Sequence, residues 1–300
     1  MKIKMAFLFV FLFSAVWLFA GSGNGGTPEK VLQEKGIVIT YPGWKLKALS
    51  FSYDDGNIAD RRLVSIFNKY GMKGTFHIPS AWLVKKPKNR VTEKEILTLY
   101  AGHEISGHGA NHLSMGKLPL EKLQKELDEE IEGWKKITGK KITGYAYPFG
   151  SFSGTVIEEM KKRGLIYART VGRRGAVFTL PGDFMKWAAQ GHHVHNIDHL
   201  ADKYLAYKPQ KMSVLLIWGH SYEFPKADNW NVIEKFCAKM SGKEDIYYAT
   251  MGEIASYVTA ARALKISSDG KKLENTTKEK IFFVRNGKNL VLEAGKSYPF

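Results

Sequence analysis

Carboxylate and imidazole side chains recur at points of the sequence where an apolar run ends. The residues in question are Asp54, Asp55, His108, His112 and His220. Two imidazoles and one carboxylate with open coordination positions are typical of a catalytic rather than a structural metal site. A further carboxylate could accept a proton from a water on the cation, and a separate histidine could protonate a leaving group. These residue types therefore predict metal-assisted hydrolysis.

The spacing within the two pairs restricts where their side chains can point. His108 and His112 are four residues apart, so on a helical turn both would face one side and could share a cation. Successive side chains of an extended chain alternate in direction, so Asp54 and Asp55 should point apart. One of these carboxylates could then bind the cation while the other faces a water.

Strand-like and helix-like segments alternate through most of the chain, which places these residues at strand ends. Apolar runs predict strands over residues 47–53, 75–78, 103–106, 142–147, 167–171, 212–218 and 246–249. Helical spacing predicts helices over residues 60–70, 92–100, 120–138, 155–163, 229–240 and 251–263.

This alternation implies parallel strands buried by helices. The number of strands and the span of residues 46–260 favour closure, so we predict an α/β fold, a distorted seven-stranded TIM-like (β/α) barrel. Ligands of such barrels are held by the loops after the carboxyl ends of the strands. The polar side chains at the strand ends should therefore lie at one end of the barrel. The charged residues of the 121–140 region, such as Glu126 and Glu129, are expected to form a solvated helix face.

The two ends of the chain differ from this central part. Residues 1–21 carry two lysines before a 16-residue apolar run, which predicts a signal peptide and an exported protein. We expect a linker and N-terminal extension at residues 22–45, a catalytic domain at residues 46–263 and a β-hairpin appendage at residues 264–300. Asp-Gly and Asn-Gly pairs mark the predicted hairpin turns.

Composition excludes several classes of protein. Lys and Arg number 45 against 29 Asp and Glu, giving a formal charge of +16. The basic residues are dispersed and no nucleic-acid-binding motif is present, so we expect no nucleic-acid partner; no stable protein partner is predicted either. Cys237 is the single cysteine, which rules out an intrachain disulfide framework and a zinc site built on several cysteines.

The motifs resemble those of the polysaccharide deacetylase family, carbohydrate esterase family 4 with its NodB homology domain. The sequence SYDDG at residues 52–56 is similar to the family's Thr-Phe-Asp-Asp-Gly motif. His108 and His112 match its second motif, although Gly109 replaces a hydroxyl residue. AYPFG at residues 146–150 resembles the third motif, and LLIWGH at residues 215–220 resembles the fifth.

The resemblance implies a role for each matching residue. Asp54 would be the general base and His220 the general acid. Asp55, His108 and His112 would bind a divalent metal, and zinc is the ion expected there. The backbone N–H of Phe149 would donate to the oxyanion, beside Tyr147 in the same motif. The substrate would be an acetylated glycan, with N- and O-acetyl groups both open.

Two departures from the family pattern affect the substrate side of the site. Ala146 stands where the family has an arginine that orients the base, and Arg169 on a following strand could replace it. The fourth motif is not distinct. Trp187 is a candidate to stack on a sugar face, and Tyr222 is a candidate to hydrogen-bond a sugar hydroxyl.

Other interpretations remain open at this point. The chain could hydrolyse a non-sugar C–N bond, or it could be a catalytically impaired carbohydrate-binding protein on a degenerate barrel. The four histidines within residues 192–199 could bind a second metal, but we favour a substrate-lining loop for that segment.

Overall fold

The structure is a computed structural model of the 300-residue chain, and it describes residues 28–85 and 88–300. The predicted signal peptide at residues 1–21 and the start of the predicted linker lie outside the described residues. Within the described ranges, no helix is long and apolar enough to cross a membrane.

Ten α-helices occur in the described part of the chain. They are α1 (Pro28–Glu34), α2 (Asp60–Lys69), α3 (Trp82–Lys85), α4 (Ile96–Leu99), α5 (Leu120–Thr138), α6 (Gly154–Lys162), α7 (Ile197–Ala206), α8 (Glu223–Lys226), α9 (Asn231–Met240) and α10 (Met251–Arg262).

Fifteen strands accompany these helices in the same described ranges. They are β1 (Ile37–Thr40), β2 (Lys47–Asp54), β3 (Gly74–Ile78), β4 (Glu104–Gly107), β5 (Gly144–Ala146), β6 (Tyr167–Arg173), β7 (Trp187–Ala189), β8 (Gly191–His192), β9 (Ser213–His220), β10 (Ile246–Tyr248), β11 (Lys265–Ile266), β12 (Lys272–Glu274), β13 (Ile281–Arg285), β14 (Lys288–Leu292) and β15 (Ser297–Pro299).

A parallel sheet forms the centre of the molecule and confirms the predicted α/β barrel class. Its strands follow the order β7-β6-β5-β4-β3-β2-β9-β8, and β10 pairs with β2 beside this path. All eight residues of β2 are buried, as expected of a strand covered on both faces. The predicted count of seven strands is approximate, since eight lie on the path of the near-closed barrel.

Closure of the barrel depends on one segment that the sequence analysis left as loop. β7 pairs with β6, β8 pairs with β9, and only Gln190 separates β7 from β8. The buried Gln190 accepts a hydrogen bond from the Leu216 N–H at 2.7 Å and donates one to the Val177 carbonyl at 2.9 Å. A single stretch of chain therefore joins the two edges of the sheet.

Most predicted helices match the structure within a few residues, with local differences. The predicted 92–100 helix is a 3₁₀ turn followed by the short α4, with the Thr92–Glu95 capping box in place. Helix α7 was missed, because its start was interpreted as part of a histidine-rich loop.

The strands of the C-terminal segment take part in two small antiparallel sheets, one of which contains the β13–β14 hairpin. Asn286 and Gly287 have positive φ, which suits the two-residue turn between β13 and β14. Strand β1 of the N-terminal extension pairs with β13, so both ends of the described chain meet in one sheet. The Tyr257 hydroxyl of α10 donates to the Thr40 carbonyl at 2.6 Å, which ties this sheet to the barrel.

Candidate active site

The predicted catalytic carboxylates lie where the carboxyl ends of central strands meet. Asp54 is the last residue of β2 and pairs in register with His220, the last residue of β9. Asp55 follows with a φ of 80° rather than in extended conformation, and its N–H donates to the His77 carbonyl at 2.9 Å. Positive φ is costly for a residue with a side chain and is often retained at functional sites.

Asp55, His108 and His112 converge on one point. Asp55 Oδ1 lies 3.8 Å from Nε2 of His108 and 3.8 Å from Nε2 of His112. One ligand atom from each of the three residues lies within 4.8 Å of the others. His108 Nδ1 is 2.8 Å from the Ala146 carbonyl, so we assign its proton to that nitrogen and the lone pair to Nε2.

This donor set fits a divalent cation. The buried Asp55 Oδ1 has no hydrogen-bond partner among the described residues, which is costly for a carboxylate oxygen unless a cation compensates it. One carboxylate oxygen and two imidazole nitrogens are ligands that zinc accepts readily.

The segment that carries the two histidines is a loop, so the expectation of a helical turn was wrong. Gly109 and His112 both have positive φ, 78° and 58°, and the His112 N–H donates to the Gly109 carbonyl. The two imidazole rings still approach within 4.7 Å between centroids. Tight turns, rather than helical periodicity, bring them together.

Two buried glutamates of α5 hold this loop. Glu130 accepts a hydrogen bond from the His108 N–H at 2.7 Å and from the Ser80 N–H at 2.9 Å. Glu126 accepts one from the Asn111 N–H at 2.7 Å. Both side chains are almost fully buried, so these positions contradict the solvated face expected for the helix. Burial raises the pKa of Glu130 to about 7.

Replacing Glu130 with glutamine should destabilise the protein by about 1–3 kcal/mol, because one of the two N–H donors would face an amide N–H₂ group. Chemical unfolding followed by circular dichroism measures this difference. The control is Glu132→Gln on the exposed side of the same helix, which should stay within about 0.5 kcal/mol of the parent. Equal stability of the two variants would refute the structural role of Glu130.

Arg169 lies beside Asp54, where it was suggested from the sequence as a replacement for the missing arginine. Its guanidinium forms a fully buried ion pair with Asp54, and its Nε donates to Ser52 Oγ at 2.9 Å. The guanidinium carbon also lies 4.2 Å from the centre of the Trp218 ring. Burial alone would raise the pKa of Asp54. The positive charge of Arg169 has the larger opposing effect, and the nearby imidazoles of His108 and His220 add to it. The pKa of Asp54 is therefore held below its usual range.

Arg169→Met should cost about 3–5 kcal/mol at neutral pH, because it leaves the Asp54 carboxylate buried without its counter-charge. The ion pair lowers the folded-state pKa of Asp54, so the stability it provides is present above pH 4 and declines below about pH 4. The difference in the free energy of unfolding between the parent and Arg169→Met should therefore be smaller at pH 3 than at neutral pH. Denaturant titrations at both pH values test this, with Arg174→Met as control, since the half-buried Arg174 guanidinium donates to the Thr179 carbonyl rather than to a catalytic carboxylate. A difference in stability that stays constant between the two pH values contradicts the prediction.

His220 is held by a glutamate that the sequence analysis missed. Glu223 Oε2 accepts the His220 backbone N–H at 3.1 Å and lies 3.4 Å from its Nδ1, while the Nε2 of the same ring is 4.0 Å from Asp54 Oδ2. Burial would lower the pKa of His220, but Glu223, Asp54 and Asp55 together raise it. The only sequence signal for Glu223 is its position three residues after His220.

The predicted substrate-side residues divide into accessible and buried ones. The Phe149 side chain is 70% exposed beside His112, and its φ is 57°. Tyr222 is partly exposed, with its ring 5.1 Å from that of His220. Trp187 is fully buried against Phe184, so its expected stacking on a sugar is contradicted. Tyr147 is also buried, and its hydroxyl donates to the Met185 carbonyl.

Comparison with known proteins gives a family match over part of the chain. Residues 45–168, the segment carrying Asp54, Asp55 and both ligand histidines, match the family model for polysaccharide deacetylase. This segment resembles the polysaccharide deacetylase family, and it makes up less than half of the chain. His220 and Arg169 lie beyond the matched segment, so their assignment to the deacetylase site depends on the structure.

Curated relatives match over part of their length. A peptidoglycan deacetylase of Helicobacter pylori is 30% identical over 115 residues, which cover 37% of this chain and 36% of that protein. The peptidoglycan-N-acetylmuramic acid deacetylase PdaA of Bacillus subtilis is 27% identical over 158 residues, 49% of this chain and 57% of that protein. The matched region therefore covers about one third of the length of the first relative and somewhat over half of the length of the second.

Solved structures agree on the fold. A Mycobacterium smegmatis structure assigned as a polysaccharide deacetylase has a TM-score of 0.57 at 19% identity, covering 75% of this chain and 94% of that one. The structure of Puue allantoinase has a TM-score of 0.56 at 13% identity, covering 72% and 91%. At such identities the likeness concerns the deacetylase-type barrel alone.

Proposed function

We propose that the protein is an exported, metal-dependent hydrolase that removes acetyl groups from a cell-wall glycan, with Zn²⁺ as its cation. The observation that carries this proposal is the convergence of Asp54, Asp55, His108, His112 and His220 at one end of the barrel. The match of residues 45–168 to the family model for polysaccharide deacetylase supports it.

Asp55, His108 and His112 would hold the cation. When bound, such a cation acidifies a water and polarises the acetyl carbonyl. The carbonyl hydrogen bond at His108 Nδ1 keeps Nε2 available as a ligand, and the Glu130 carboxylate fixes the loop that presents the ring. The affinity of the site would therefore depend on residues that never touch the cation.

The remaining residues would move protons and bind the substrate. Asp54, kept ionised by Arg169, would accept the proton of the attacking water. The Phe149 N–H would donate to the developing oxyanion. His220, whose pKa is raised chiefly through Glu223, would donate a proton to the departing amine or alkoxide.

Export and the cell-wall substrate are inferred from separate observations. Residues 1–21 have the layout of a signal peptide. Two relatives are named as deacetylases of peptidoglycan, an extracellular polymer. The net charge of +16 also favours attraction to an anionic wall.

Acetate release from a panel of acetylated glycans tests the proposal. The zinc-loaded protein should release acetate from N-acetylated peptidoglycan fragments or from an O-acetylated glycan, and a chelator should abolish the release. Ammonia or amine release from amide and cyclic ureide substrates without acetate release would instead indicate hydrolysis of a non-sugar C–N bond. Glycan binding without hydrolysis at any metal loading would indicate a binding protein.

A further inference from the structure

Arg90 is fixed by its backbone beside the loop that follows Asp55. Arg90 lies opposite Asn57 in an isolated antiparallel bridge. The Val91 N–H donates to the Gly56 carbonyl at 3.0 Å, and Gly56 directly follows Asp55 in the chain. The backbone of Arg90 is therefore tied to the end of the barrel that carries the candidate active site, whatever its side chain does.

The Arg90 side chain is half-buried against an aromatic ring. Its guanidinium carbon lies 4.7 Å from the centre of the Trp82 ring. Trp82 packs in turn on His112, with 4.9 Å between the ring centroids. A guanidinium that lies over a ring keeps its N–H groups, which point outwards in its own plane, available to an acceptor. This row of rings therefore connects Arg90 to one of the predicted metal ligands and holds its charge in place.

The donors of Arg90 have no acceptor in the described part of the chain. Its Nε is buried there without a hydrogen-bond partner, and no carboxylate of the described residues forms an ion pair with its guanidinium. Arg169, the other arginine of the site, is instead paired with Asp54. A buried donor of a charged group is costly to leave unsatisfied, so a ligand that supplies an acceptor to Arg90 would bind favourably.

The charge of Arg90 acts on the substrate side of the site. Burial, followed by the nearby carboxylates with Asp55 first among them, raises the pKa of the Tyr222 hydroxyl to about 12, and Arg90 opposes this shift. Electrostatic interactions weaken with distance and with solvent screening, so the guanidinium lies near Tyr222. Tyr222 is partly exposed beside His220, and Arg90 therefore borders the same opening.

We propose that Arg90 binds a carboxylate of the glycan substrate, carried close to the acetyl group that is removed. This inference rests on the proposed function and narrows its substrate to an acidic acetylated glycan. The parallel N–H groups of a guanidinium match the two oxygens of a carboxylate. One guanidinium balances one negative charge, so a singly charged substituent suits this position.

Arg90→Gln tests the proposal on a matched pair of N-acetylated oligosaccharides. One is a peptide-free peptidoglycan strand whose alternate sugars carry a lactyl carboxylate, and the other is the same strand with these carboxylates converted to methyl amides. Arg90→Gln should raise KM for the acidic strand by about 10- to 100-fold with kcat little changed, because the lost contact is the same in the ground state and the transition state. For the amide strand, KM should change by about threefold at most, since the uncharged amide gains less from the guanidinium.

Two further variants serve as controls. Arg62 is exposed on α2, and its guanidinium carbon lies 4.6 Å from the centre of the Trp230 ring. Arg62→Gln removes a similar contact between an arginine and a tryptophan elsewhere, so it should leave KM for both strands unchanged. Arg90→Lys keeps the charge but not the parallel N–H groups, and its KM for the acidic strand should lie between those of the parent and Arg90→Gln.

Two kinetic results would overturn the proposal. One is an equal rise of KM for both strands in Arg90→Gln, as expected if the side chain only packs on Trp82. The other is a parent chain with no preference for the acidic strand over the amide strand. Calorimetry with the deacetylated acidic strand needs no turnover. Weaker binding to Arg90→Gln than to the parent would support the carboxylate site even if no acetate is released, in which case the deacetylase proposal alone fails, whereas equal binding would refute the site.

Discussion

Asp54→Asn is expected to lower kcat for acetate release by about 10²- to 10⁴-fold while leaving the bound cation in place. Asparagine has the shape of aspartate and can still accept a hydrogen bond from Arg169, but it cannot take up the proton of the attacking water. Steady-state rates and elemental analysis on the same preparation separate the two effects. The buried ion pair with Arg169 is lost, so the variant must first be shown to be folded at the assay temperature.

The control for this substitution is Ser52→Ala, which removes the hydroxyl that accepts from Arg169 Nε and keeps the carboxylate. It should retain most of the activity. Full activity in Asp54→Asn would show that another group is the base. Loss of the cation in this variant would instead show that Asp54 is a metal ligand.

Asp55→Ala is expected to remove one equivalent of zinc per chain and to abolish acetate release at any accessible zinc concentration. Asp55 supplies the only carboxylate of the three-ligand set, and its Oδ1 lies 3.8 Å from both histidine nitrogens. Residues that merely orient ligands change metal affinity by about 10- to 100-fold, so loss of a ligand should exceed that range. Competition with a fluorescent chelator measures the change in affinity.

Asp202→Ala, which removes an exposed carboxylate on α7, is the matched control and should bind zinc as the parent does. An Asp55→Ala variant with unchanged affinity and activity would place the catalytic cation elsewhere.

The positions of Asp54 and His220 could be predicted from the sequence because each ends a strand-like run that the structure buries almost completely. Strand β9 is a nearly continuous buried run that ends on His220, and β2 ends on Asp54. Parallel strands align their carboxyl ends, so the meeting of these two residues follows from topology. Arg169 lies on β6, which does not pair with β2, and its buried side chain reaches Asp54 across the barrel.

The groups that support the site could not be predicted in this way. Glu126 and Glu130 lie on an amphipathic helix, and helical periodicity does not indicate that a carboxylate faces a loop with free N–H groups. Their burial depends on tertiary packing. The joining segment around Gln190 is too short and too polar for a strand pattern, and only the two sheet edges beside it define its pairing.

The error at Trp187 has a similar cause. A tryptophan near a glycan-binding site suggests stacking, but the residue is part of the closing strand and packs into the interior against Tyr167 and Phe184. The aromatic ring that remains accessible beside the predicted ligands is Phe149. The sequence alone could not show which of these two aromatic side chains is accessible, since both lie near the same end of the barrel.

Anomalous diffraction at the zinc edge, from crystals of the zinc-loaded protein, tests the central claim most directly. The account predicts a peak at about 2.0–2.2 Å from a carboxylate oxygen of Asp55 and from Nε2 of His108 and His112. Density for zinc only at other residues, with these three side chains free of any cation, would contradict it.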